Sequence, residues 1–236
     1  GRGTLWGNWG LHEGRSGGDP GDRLDRALGF YDKALARRSD SAALWIMRAV
    51  VCGHTAQLVT ASGEEADARS RRAEADLTHA LELDPGNAEA WLRRGVVRCN
   101  RAGLQRTVDP EGTKGAEADL RRALELAPGF ALARVTLGML ATFRARDRIA
   151  TGQDPAADLA VAEEELGRAL GRNPGIALAW RVLGDVHWTR AHLAGNAGAD
   201  PGDPVRAAVE AYTRASKLDA RDPEAVMAVL PADHSI

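Results

Sequence analysis

The side chains best suited to chemistry are scattered along this sequence, not gathered. Histidines stand at His12, His54, His79, His187, His192 and His234. No two have the i, i+4 separation that makes a zinc-binding pair on a helix face. Cys52 and Cys99 are too few for a disulfide framework or a four-cysteine metal site. A redox pair would need their Cα atoms within ~7 Å, so small buried thiols are the plainer expectation. Glu163, Glu164 and Glu165 form a carboxylate run. Acid–base catalysis would need a cleft to hold two such groups in place, and a solvated helix face is expected instead. Asp200-Pro-Gly-Asp-Pro204 lacks the ligand spacing and terminal Glu of a calcium loop, which leaves helix capping. Arg181 and Asp185 are one helical turn apart, where a surface ion pair contributes about 0.3 kcal/mol. The expectation is a non-enzyme with no cofactor and no metal.

Composition narrows the partners. Lys and Arg total 31 against 33 Asp and Glu, so no excess of charge steers nucleic acid. No apolar run approaches the ~18 residues of a membrane span. The first residues lack the basic start and apolar core of a leader, so a cytoplasmic chain is expected.

The elements that must position these side chains come from an internal repeat. Ala34, Ala80, Ala123, Ala169 and Ala215 recur at intervals of 46, 43, 46 and 46 residues. Three residues before each stands a large side chain (Tyr31, Leu77, Leu120, Leu166, Tyr212), and seven before each an alanine (Ala27, Ala73, Ala116, Ala162, Ala208). That spacing places all three on one helical face. Pro85, Pro128 and Pro174, each followed by glycine, must end the helix. A second helix then opens, marked by Trp45, Trp91 and Trp180, with Ala49, Gly95, Gly138 and Gly184 four residues beyond the tryptophan position. The third copy has Arg134 in place of the tryptophan. The small residues allow two helices to approach closely, and the tryptophan fills the space beside them.

Trp180, Leu183, Gly184 and His187, followed by Ala208, Tyr212 and Ala215, resemble the tetratricopeptide-repeat family, and the resemblance covers nearly the whole chain. It implies an all-α fold, an α-solenoid of antiparallel helix pairs wound as a right-handed superhelix. The departure is length: 24 residues separate Gly138 from Ala162 and Gly184 from Ala208, which lengthens the family's ~34-residue unit. The additions carry Gly18-Asp-Pro20, Asp109-Pro110, Asp154-Pro155 and Asp203-Pro204, and Ser62-Gly63 in the second copy. They are expected as longer helices joined by a loop whose Asp caps the second helix, with Pro in its first turn.

The chain is therefore expected to be one solenoid over 1–236, with repeats at 1–39, 40–85, 86–128, 129–174 and 175–220, and a capping or truncated helix over 221–236. Aligning Gly184 with Gly3 makes the first copy begin in mid-helix, as in a piece of a longer protein.

In the resembled family the first helix of each pair lines a concave surface that binds peptides. The corresponding residues are Ile46 and Val50; Leu92, Val96 and Cys99; Val135, Met139, Thr142 and Phe143; and Arg181, Asp185 and Trp188. They are apolar in three of the four copies, which suits a hydrophobic or amphipathic helix, a peptide or a neighbouring domain. The opposing expectation is that lengthened helices bury these residues within the solenoid. The Lys, Arg and Asn set with which the family's chaperone-tail binders hold a terminal carboxylate is missing. A non-catalytic protein-binding scaffold is the leading expectation, with neither nucleic acid nor membrane as partner. The alternative is a regulatory segment of a larger bacterial signalling enzyme such as a serine/threonine kinase. Open solenoid ends that can stack on a second copy add self-association.

Overall fold

The structure is a computed structural model that describes residues 21–58, 63–104 and 110–218. Every regular element among the described residues is a helix: α1 Gly21–Leu35, α2 Ala42–Leu58, α3 Gly63–Leu83, α4 Ala88–Leu104, α5 Pro110–Leu126, α6 Ala131–Ala150, α7 Ala156–Arg172, α8 Ala177–Asn196 and α9 Gly202–Leu218. The chain divides into two compact units, 1–129 and 130–236. The first holds α1 to α5 and the second α6 to α9. In each, a helix packs on its neighbours in sequence, and the first helices of successive pairs also touch, α2 with α4 and α6 with α8. The expected caps at Gly18-Asp-Pro20 and Asp109, the mid-helix start and the helix beyond 221 lie outside the described residues.

The stops fall where proline puts them. Helices α3, α5 and α7 end at Leu83, Leu126 and Arg172, two residues short of Pro85, Pro128 and Pro174, because the residue before a proline is excluded from the helical region. Asp84 and Asn173 then accept the amides of Gly86 and Gly175 at 3.2 and 2.9 Å and tighten each turn. The tryptophans do more than fill space. The indole Nε1 of Trp91 donates to the Pro85 carbonyl at 2.9 Å, that of Trp180 to Pro174 at 2.8 Å, and that of Trp45 to Ser39 at 2.8 Å. Each ring also lies under a guanidinium, from Arg94, Arg214 and Arg48 at 4.8, 4.5 and 4.7 Å. Arg134, in the copy without the indole, donates instead to Glu165 at 2.9 Å.

Helix length absorbs most of the additions. Helices α6 and α8 each run 20 residues. Both end on a glycine of positive φ, Gly152 at 71° and Gly198 at 73°. The amides of Gln153 and Ala199 reach back to the carbonyls of Arg148 and Ala194, which closes a Schellman turn at each end. Asp154 accepts the Ala156 amide at 2.9 Å and so starts α7. In the next copy the capping residue is Asp200, on the Gly202 amide at 2.8 Å. Helix α9 therefore begins before Asp203, which instead pairs with Arg206.

The repeated glycines mark the closest helix approaches. A Cβ on Gly95 would sit 2.6 Å from Leu120 Cγ, one on Gly138 2.7 Å from Leu166 Cγ, and one on Gly184 2.6 Å from the Tyr212 ring. Leu120 and Leu166 are fully buried in those notches, where close packing makes each methylene count.

Candidate functional site

The expected groove residues divide by burial. Ile46, Leu92, Cys99 and Val135 are no more than 5% exposed. Thr142 is also buried, its hydroxyl donating to the Gly138 carbonyl at 2.9 Å. These five belong to the interior, because within its unit each first helix is packed by its neighbours in sequence and by the first helix of the adjoining pair. Val50, Val96, Met139, Phe143, Arg181 and Asp185 are half-buried, and Trp188 is exposed.

In the second unit the accessible members lie on α6 and α8, two first helices that touch. Met139, Phe143 and Arg146 lie at i, i+4 and i+7 on α6, and Arg181, Asp185 and Trp188 repeat that spacing on α8. Arg146 joins the two helices, 3.8 Å from Asp185 Oδ2. The Tyr212 hydroxyl, from α9, donates to Asp185 Oδ1 at 2.7 Å. Burial and the Asp185 carboxylate hold the phenol far above its ordinary pKa, and the positive charges of Arg146 and Arg181 only partly oppose them. Tyr212 is thus a fixed neutral donor. Trp188, 56% exposed, is the most exposed large apolar side chain among the described residues. Arg146 and Tyr212 were absent from the sequence-derived groove. Arg146 could have been found as the next position on the Met139–Phe143 face. Nothing local pairs Tyr212 with Asp185, 27 residues away.

Buried arginine forks are the second feature the spacing missed. Asp76 takes two bonds from Arg48, at 2.8 and 2.6 Å. Asp119, 2% exposed, takes two from Arg94, at 2.9 and 2.7 Å, and a third from Arg98 at 2.8 Å. Each Asp directly precedes the large residue of its repeat, and Arg48 and Arg94 directly precede the small one. Position within the repeat was the available signal. The glutamate run is divided in the same manner. Glu163 holds Arg190 at 2.7 and 2.9 Å, Glu165 receives Arg134, and only Glu164 is exposed, paired with Arg168.

Burial pushes the Cys52 thiol up to about 11 and Cys99 up to about 12, so neither is a ready nucleophile. His187 is less basic than usual through burial, opposed by Glu163 and reinforced by Arg190. No group of three His, Cys, Asp or Glu residues is placed to hold a metal among the described residues. No described helix is long and apolar enough to cross a membrane.

No protein-family model matches the sequence, and no curated protein sequence matches it. Solved structures do match. MamA superposes with a TM-score of 0.53 at 16% identity, over 86% of this chain and 92% of MamA. A double mutant of MamA gives 0.55 at 17%, over 94% and 97%. YrrB, described as a TPR protein with an unusual peptide-binding site, gives 0.50 at 20%, over 88% and 84%. Together with the proline stops, the small-residue notches and the paired helices, these likenesses show that the chain has the tetratricopeptide-repeat fold, an all-α solenoid of antiparallel helix pairs.

Proposed function

We propose that this chain is a non-catalytic scaffold for protein interaction, and that the face of α6 and α8 around Trp188 binds a peptide segment of its partner. The exposed indole carries the reading. A tryptophan left in water on a helix whose opposite face is core forgoes a large burial energy, and such positions are favoured anchors of interfaces. Half-buried Met139 and Phe143 on α6 supply adjoining apolar surface, and Arg146 and Asp185 supply polar groups to orient a segment. The peptide-binding site of the structurally similar YrrB supports the assignment by analogy. Selection of a random peptide library on the full chain is expected to enrich peptides whose binding is lost in Trp188→Ala. A selection that enriches nothing, or yields peptides that bind Trp188→Ala equally well, rejects the reading.

A further inference from the structure

The charges on this face are unequally satisfied. Elsewhere in the chain arginines close two-bond forks on carboxylates, Arg94 on Asp119 and Arg190 on Glu163. Arg146 does not. Its ion pair, with Asp185, is 3.8 Å long, and its side chain is 54% exposed. The cause lies on the other side of the carboxylate, where the Tyr212 hydroxyl holds Asp185 Oδ1 at 2.7 Å. Tyr212 is itself fixed, because its ring fills the notch at Gly184. Asp185 is thus drawn toward α9, while Arg146 stands out from α6. Arg181 contributes a second guanidinium close enough to act on the same phenol. Arg146 therefore faces an anion that is already engaged, and Trp188 lies one turn along α8 from that anion.

Resting on the peptide-binding reading above, we propose that the bound segment carries an acidic side chain next to an apolar or aromatic one. Its carboxylate closes the fork that Arg146 leaves open, and the apolar side chain lies on Trp188. Tyr212 is a positioning residue: by occupying Asp185 it keeps that carboxylate from neutralising Arg146. A planar guanidinium with five donors recognises a carboxylate through two parallel bonds, and that geometry favours an anion over a neutral amide. A basic segment would bring a like charge to the Arg146 guanidinium, a contact that disfavours it.

The test is the same library selection, extended to charge. The enriched peptides are expected to contain Asp or Glu within a few positions of Trp, Phe or Leu. A synthetic peptide from that set, with blocked ends, should bind Arg146→Glu at least about tenfold more weakly than wild type, the size of one charged fork lost. Replacing its acid by the amide should cost a similar factor and make binding indifferent to Arg146→Glu. Tyr212→Phe, which keeps the ring in its notch, should weaken binding about threefold by releasing Asp185 to Arg146, as expected for one neutral hydrogen bond. Adding Asp185→Ala should restore it, which a merely structural role for Tyr212 would not do. Enriched peptides that are neutral or basic, or that bind Arg146→Glu unchanged, overturn this inference and leave the peptide site standing. Loss of the peptide site itself is read separately, from Trp188→Ala.

Discussion

Gly138 and Gly167 lie on adjoining helices of one unit and meet opposite surroundings. A Cβ on Gly138 would strike Leu166 at 2.7 Å, whereas one on Gly167 meets nothing within 4 Å. Gly138→Ala is expected to cost about 1–3 kcal/mol through overpacking. Gly167→Ala, in the interior of α7, should instead stabilise by about 0.5–1 kcal/mol by removing a flexible residue from a helix. Urea titrations with unchanged slope check both signs. The same contrast holds for charges. Asp119→Ala strands Arg94 beside a buried gap, while Arg98 keeps Glu74, and should cost about 3 kcal/mol. Glu164→Ala removes only the exposed pair with Arg168 and should change stability by less than about 0.5 kcal/mol. The notch was legible in the sequence, because a small residue and a large one recur at fixed spacing. The forks were not, because Arg48 and Asp76 are 28 residues apart and only a folded helix pair brings them together.

At the scale of the helices, the proline stops were readable because the restriction acts on the next residue in the chain. The indole hydrogen bonds at the Pro85 and Pro174 stops were less so: tryptophan is a common core filler, and only the geometry reveals the carbonyl six residues back. Trp91→Phe keeps one aromatic ring but deletes that bond and part of the indole's packing, and should cost at least about 0.5–1.5 kcal/mol in denaturant unfolding. The pairing of α7 with α8 carries a pH dependence through His187. Burial holds its pKa below the ordinary 6.5, so the unfolded chain takes up the proton more readily than the folded one. The resulting stability is whole above about pH 6.5 and is lost as the pH falls from there through the lower value of the folded chain. Unfolding followed from about pH 7 to about pH 5 should show this loss in wild type and a shallower loss in His187→Gln.

For the molecule as a whole, the sequence showed which face of each first helix is apolar but not which part of it stays open. Apolar periodicity marks a face that leaves water; it does not distinguish a neighbouring helix from a partner. Val135 and Trp188 both came from that face, yet one is fully buried and the other more than half exposed. Val135→Glu places an unpaired charge in the core of the second unit and should unfold it. Trp188→Ala should leave stability within about 0.5 kcal/mol and remove binding. The central claim is tested most directly by mapping a selected peptide onto the isotopically labelled chain by NMR. The account predicts shift changes concentrated on α6 and α8, around Met139, Phe143, Arg146, Arg181, Asp185 and Trp188. Changes centred on the outer faces of α7 and α9, or on the first unit, would contradict it.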